Sequence, residues 1–93
     1  MKEEKAIYGI SAEGKPMNTQ RELLLDYLKQ HPGRAVSQND VREMWGFTRL
    51  SAIVKDVEYK MGVYLKREKR ASRTRWGVVT YPTFYWYEER TND

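Results

Sequence analysis

Thr48-Arg49-Leu50-Ser51-Ala52-Ile53-Val54-Lys55-Asp56-Val57-Glu58-Tyr59-Lys60-Met61 is the stretch that decides the fold. When each helical residue advances about 100°, Leu50, Ile53, Val54, Val57 and Met61 fall within roughly 50° of one line, so the stretch predicts a helix with one apolar face. Thr48 stands where it can cap that helix. The opposite face carries Thr48, Ala52, Lys55 and Tyr59, flanked by Arg49, Ser51 and Asp56. It is small near its start and polar throughout, which lets a helix approach base edges closely with Ser51, Ala52 and Lys55 leading; an inert solvated face has the same composition.

Upstream, only Gly46 and Phe47 separate this helix from another, Gln38 to Trp45, whose Val41, Met44 and Trp45 recur at i, i+3 and i+4. Ser37 followed by Asp40 is an N-cap with an acidic first turn, and Gly46 is the stop. Two short helices joined by a tight turn containing glycine form a helix-turn-helix pattern. A first helix begins at Thr19, which with Glu22 has the capping-box form. It carries Leu24, Tyr27 and Leu28, widened by Leu23, and ends at His31-Pro32-Gly33. Arg34-Ala35-Val36 is long enough only for a strand stub. Residues 1–17 mix charges with glycine and show no sustained period, so they read as a mostly mobile arm, although Ala6 to Ile10 suits a short strand or docking segment.

Downstream of Gly62 the pattern becomes alternation, with Val63 and Leu65 facing one way and Tyr64 and Lys66 the other. The C-terminal third is β-prone and aromatic, with Tyr81-Pro82-Thr83 as a bend. These signals predict an α+β chain: three helices, then an antiparallel β-hairpin or three-strand meander with the basic segment as its loop. The domain covers residues 18–90, followed by a tail at 91–93. Net charge is +4, yet residues 1–48 are neutral and residues 62–76 carry +5. Between residues 66 and 75 stand six cations and one anion, closed by Trp76. Three helices followed by a cationic hairpin is a winged helix-turn-helix arrangement. In it the third helix fits the major groove of duplex DNA, and the hairpin reaches flanking phosphates or the minor groove. Thr48, Arg49, Ser51, Ala52 and Lys55 are the candidate base-reading residues. Arg67, Lys69, Arg70, Arg73 and Arg75, with Lys66 able to lean either way, are the candidate backbone contacts.

The residues Thr19-Gln20-Arg21-Glu22-Leu23-Leu24-Leu25-Asp26-Tyr27-Leu28, with Trp45-Gly46-Phe47-Thr48-Arg49-Leu50-Ser51-Ala52-Ile53 after the second helix, also resemble a family. They look like the small helix-turn-helix domain common in bacteriophage and prophage genomes, which reads T-Q-x-x-x-I-L-x-x-L and later G-I-x-R-L-[AS]-A-x-I-x-x-L. The resemblance covers about residues 18–67, and it implies a DNA-binding fold acting in transcriptional regulation or in phage recombination or replication. This chain departs from it in Phe47, in Val57 and in a longer aromatic C-terminus.

Tyr81, Phe84, Tyr85, Trp86 and Tyr87 admit three readings: rings packing the sheet onto the helices, a homodimer interface, or a platform for single-stranded nucleic acid. Trp76 reads as an anchor at the base of the hairpin rather than a wedge between base pairs. A protein-interaction module, engaging a phage or host protein through the aromatic strands, is the rival to DNA binding. Catalysis finds little footing, because His31 is the sole histidine and sits in a helix stop. Glu88 and Glu89 would point to opposite faces, and no phosphate loop or nucleophile elbow occurs. No cofactor or metal site is expected. The absence of cysteine removes disulfides and thiolate chemistry and fits a reducing cytosol; the resemblance to phage domains implies a cytoplasmic, nucleoid-associated protein of a bacterial host. No apolar run approaches the roughly 20 residues that cross a bilayer. A chain of 93 residues organises a single small core, which a partner copy would help to stabilise.

Overall fold

The structure, a computed structural model, describes residues 6–89. Three helices come first: α1 (Gln20–Gln30), α2 (Gln38–Trp45) and α3 (Leu50–Lys60). Four short strands follow: β1 (Lys66–Lys69), β2 (Ser72–Arg73), β3 (Val79–Thr80) and β4 (Thr83–Trp86). At the start of α1 the Thr19 hydroxyl accepts from the Glu22 N–H, and the Glu22 carboxylate turns back to accept from the Thr19 hydroxyl at 2.7 Å and the Asn18 N–H at 3.1 Å. These bonds, the Thr19 hydroxyl foremost, hold the Glu22 carboxyl below its ordinary value. Ser37 and Asp40 form a complete capping box on α2, which ends at Gly46 in the left-handed region at φ +75°.

The start of α3 is built differently from the sequence expectation. Thr48 does not cap it; the N-cap position is Arg49, whose side chain makes no capping bond. Gln38 supplies the missing partner from the neighbouring helix, its Oε1 accepting from the Leu50 N–H at 2.7 Å while its Nε2 donates to the Phe47 carbonyl at 2.8 Å. One amide thus satisfies both a free helix donor and a turn carbonyl, and ties α2 to α3.

The core lies between α1, α3 and the sheet. Leu24 and Leu28 of α1, Val41 of α2, and Leu50, Ile53, Val54 and Val57 of α3 are buried, joined by Val36, Phe47, Leu65 and Tyr85. Two apolar positions expected on core faces are not in it. Met44 is exposed because it lies on the outer side of α2, and Met61 is exposed just past the end of α3. On α1 it is Leu25 that is buried, while Leu23 only packs at the core's edge.

The described part of the N-terminal segment, read as a mobile arm, is folded onto the domain. Ile10 bridges Pro16, the Tyr8 N–H donates to the Met17 carbonyl at 2.9 Å, and the Ala12 N–H donates to Asp26 on α1 at 3.0 Å. Met17 is buried, and the Tyr8 ring meets Phe47 edge-on at 5.8 Å. That contact begins a chain of rings running through Trp45 to Tyr27 and His31, with neighbouring centroids 4.6 to 5.3 Å apart. Residues 1–5 of the arm, residue 90 at the end of the expected domain and residues 91–93 of the tail lie outside the described residues.

The strands make one long hairpin in two segments. β1 pairs antiparallel with β4, setting Lys66 opposite Trp86, Arg67 opposite Tyr85, Glu68 opposite Phe84 and Lys69 opposite Thr83. Farther out, β2 pairs with β3, setting Ser72 opposite Thr80 and Arg73 opposite Val79. Between the segments Pro82 has no N–H to give, and only its carbonyl is used, by the Arg70 N–H at 3.2 Å. Tyr81 and Pro82 therefore interrupt a ladder instead of turning the chain. The basic segment is likewise not the loop that the sequence suggested: most of it is strand, and the turn is Thr74 to Gly77 alone. Val36 exchanges both backbone bonds with Tyr85, at 2.8 and 2.9 Å, so β4 lies between the stub and β1. The other edge of β1, Lys-Arg-Glu-Lys, pairs with no strand among the described residues.

Candidate nucleic-acid interface

α3 is amphipathic, and burying its Leu50, Ile53, Val54 and Val57 stripe turns the opposite face outward. Thr48, Arg49, Ser51, Ala52 and Lys55 are all exposed, and Tyr59 farther along the same face is 85% exposed. Neither Arg49 nor Lys55 has an ion-pair partner among the described residues. All five residues singled out as base-reading are thus exposed, Ser51, Ala52 and Lys55 on α3 itself and Thr48 and Arg49 immediately before its first turn.

The six hairpin cations divide into two groups. Arg67 pairs with Glu58 of α3 and stacks over Tyr64 and Tyr85, with its guanidinium carbon 5.2 and 5.3 Å from the ring centres. Glu58 also accepts from the Leu65 N–H, so this carboxylate fastens the hairpin base to α3. Arg70 pairs with Glu68 at 3.3 Å and lies 5.4 and 5.3 Å from the centres of Phe84 and Trp86. Lys66 pairs with Glu88 at 3.5 Å. Lys69, Arg73 and Arg75 have no such partner among the described residues, and all three are exposed. No Asp or Glu occurs anywhere between Glu68 and Glu88, so the outer hairpin has no carboxylate of its own to neutralise them.

At the tip the Thr74 N–H donates to the Val78 carbonyl at 2.9 Å, and the Gly77 N–H to the Thr74 carbonyl at 2.9 Å. This closes a three-residue loop with Gly77 at φ +82°, a conformation open to glycine and strained for other residues. Trp76 sits in that loop and is 82% exposed, which overturns its reading as an anchor at the hairpin base. It stands at the opposite end because the strands continue past Lys69 for another ladder segment.

The C-terminal rings are not one exposed face. Tyr85 is core, 9% exposed, because β4 alternation turns it toward the helices, and it is therefore not available as an oligomer contact. Phe84 and Trp86 alternate with it on the other face and are half-buried beneath Arg70. Tyr87 packs against the core with Lys29 5.9 Å from its ring centre, and Tyr81 alone of the five is exposed.

Among the described residues no group of three or more His, Asp or Glu side chains is placed to hold a metal ion. An open hollow of about 260 Å³ between the N-terminal segment and α1 includes Glu22 and Asp26 in its lining. Both carboxylates are already tied up, Glu22 by Thr19 and Asn18, and Asp26 by the Ala12 N–H and Gln30. No described helix is long and apolar enough to cross a membrane. The positioning roles of Gln38 and Glu58 had no local signal in the sequence, since each acts on a partner brought to it by folding. Comparison with protein-family models, with curated proteins and with solved structures finds no match.

Proposed function

We propose that this chain is a winged helix-turn-helix protein that binds double-stranded DNA, of the bacteriophage type its motifs resemble, acting in transcriptional regulation or at a recombination or replication site. The outer face of α3 enters the major groove with Thr48, Arg49, Ser51, Ala52 and Lys55 toward base edges, and the hairpin lies along flanking phosphates and the minor groove. One observation carries the reading. Arg73 and Arg75 stand on the outer part of the hairpin, which contains no carboxylate, and Lys69 at the end of β1 is unpaired among the described residues as well, while Lys66, Arg67 and Arg70 pair with Glu88, Glu58 and Glu68. Unneutralised cations on a projecting arm are what counterion release from a polyphosphate rewards. Homodimerisation on paired half-sites belongs to the same reading, supported by the small core of so short a chain.

The test is a fluorescence-anisotropy titration of a random 30-base-pair duplex at two salt concentrations, with the oligomeric state read from a sizing column. Lys69, Arg73 and Arg75 acting together on phosphates give a slope of log K against log salt of about −3. Replacing Lys55 by Ala should change the sequences recovered from a random-site library and leave that slope within about one unit. Absence of retention even at low salt moves the reading to a protein partner.

A further inference from the structure

We infer that the hairpin tip is a DNA wedge: the Trp76 indole enters between neighbouring base pairs from the minor groove and kinks the duplex. The inference rests on the DNA-binding reading and adds to it a mode of contact and a deformation of the partner. Three observations converge on the tip. The indole is 82% exposed, and Val78 beside it is 57% exposed, in a protein that buries its other two tryptophans at least partly. The loop presenting it is closed on both sides, by the Thr74–Val78 and Gly77–Thr74 bonds, at the end of a paired stem, so the ring is held out instead of folding back. The surrounding charge is of one sign, with Arg75 next in the chain and Arg73 one ladder position below, neither paired among the described residues.

An apolar plate flanked by free guanidinium groups complements a partner whose surface is anionic and whose interior is stacked aromatic rings. Duplex DNA has that layering, with phosphates outside and bases within. Side chains that unstack a base step from the minor groove are apolar, as Trp76 is, and arginine favours the narrow groove beside them. An anionic lipid surface attracts the same cations, but it would not account for the uncovered α3 face joined to the hairpin base through Glu58. The tip also makes little demand on the fold, because Trp76 is in neither the buried core nor the group of side chains packed against it; losing its side chain should leave the domain intact.

The experiment compares the 93-residue chain with Trp76→Ala and Trp76→Phe on a 30-base-pair duplex labelled at its two ends, reading affinity, salt slope and end-to-end energy transfer together. Thermal midpoints of all three proteins are expected to agree. The unsubstituted protein should raise energy transfer as the duplex kinks, by an angle of about 20 to 90°. Trp76→Ala should abolish the rise and weaken binding about tenfold, the scale of one lost stacking contact, with the salt slope unchanged because no phosphate contact is removed. Trp76→Phe should restore most of the kink. Equal energy transfer with Trp76→Ala and the unsubstituted protein, at unchanged salt slope, would overturn the wedge and leave DNA binding standing. No duplex binding by the unsubstituted protein overturns the DNA-binding reading itself. Retention on phosphatidylserine vesicles that Trp76→Ala abolishes, without duplex binding, overturns both in favour of a lipid surface.

Discussion

The inner and outer halves of the hairpin are written with the same residues and put to opposite uses. In the inner half, β1 and β4, arginine is mortar: Arg67 is clamped between Glu58 and two tyrosine rings, and Arg70 lies over Phe84 and Trp86 with Glu68 at its side. In the outer half, β2, β3 and the tip, no described residue reaches the buried class, and Arg73 and Arg75 meet no carboxylate; Lys69, the last residue of β1, borders this half and is likewise without an ion-pair partner among the described residues. A count of positive charge along the chain treats both halves alike. What separates them is the placement of acids: Glu58 arrives from α3, Glu68 and Glu88 lie in or beside the inner ladder, and nothing acidic lies between them. Arg67 and Arg70 are committed to carboxylates and rings of the inner half, whereas Arg73 and Arg75, with Lys69 at the end of β1, remain available to an external anion.

The contrast is most open to attack through the unpaired cations, Arg73 and Arg75 of the outer half and Lys69 at its border. Replacing Lys69, Arg73 and Arg75 together by Ala should lower affinity for a random duplex by well over tenfold at moderate salt and flatten the salt slope by about 2 to 3, with the urea midpoint unchanged. If that midpoint fell instead, the outer half would be structural after all. Arg67→Ala probes the other side. It strands the Glu58 carboxylate and removes two ring contacts, so it should cost about 1 to 2 kcal/mol in urea denaturation and change the salt slope little. A slope change with no loss of stability would erase the distinction between the halves.

Gln38→Ala asks whether α3 belongs to the anchored part at both ends, since Glu58 fixes only the end nearer the hairpin. Loss of the bridge leaves the Leu50 N–H and the Phe47 carbonyl without their partner, for an expected cost of about 1 kcal/mol and earlier amide exchange at Leu50. The smallest effect is expected far from both halves, at Glu22. Its carboxyl is held below the ordinary value in the folded chain, so its contribution is present above the unfolded value near 4.5 and is lost as pH falls through the lower folded value. Glu22→Gln should flatten the stability profile in that acidic window alone, as read by thermal midpoints across pH 3 to 6, leaving DNA binding near pH 7 unaltered.

Much of the helical part was legible because its signals are local. Thr19 with Glu22, Ser37 with Asp40, and Gly46 mark helix ends within four residues of themselves, and the α3 stripe is visible in a single window. What depended on distant partners was not legible. Leu25 is buried where Leu23 was expected because the N-terminal segment, with Met17, folds back along α1. The strand character of residues 66–69 is imposed by β4, since Lys-Arg-Glu-Lys has no apolar alternation of its own. Thr74 to Gly77 lacks the Asn-Gly or Asp-Gly signature of a tight hairpin, so Trp76 was assigned to the wrong end, although Gly77 was a usable sign of a turn. That Ser51, Ala52 and Lys55 face outward needed only the helix period. Which hairpin cations are left unpaired needed the positions of their acidic partners, and sequence spacing does not supply those.

The free edge of β1 has a consequence for how the protein behaves in a crowded solution. A bare strand edge is a template on which a second chain can add, the usual first step toward fibrils and precipitates. Here a copy adding antiparallel to Lys66-Arg67-Glu68-Lys69 in symmetric register would set Lys66 against Lys69 at both ends of the row within about 5 Å, where charge repulsion opposes the contact, and only Arg67 and Glu68 would face each other as opposites. Because Arg67 is already held by Glu58, the repulsive ends should decide, and concentrated stocks should stay clear of sheet-type aggregates at low salt.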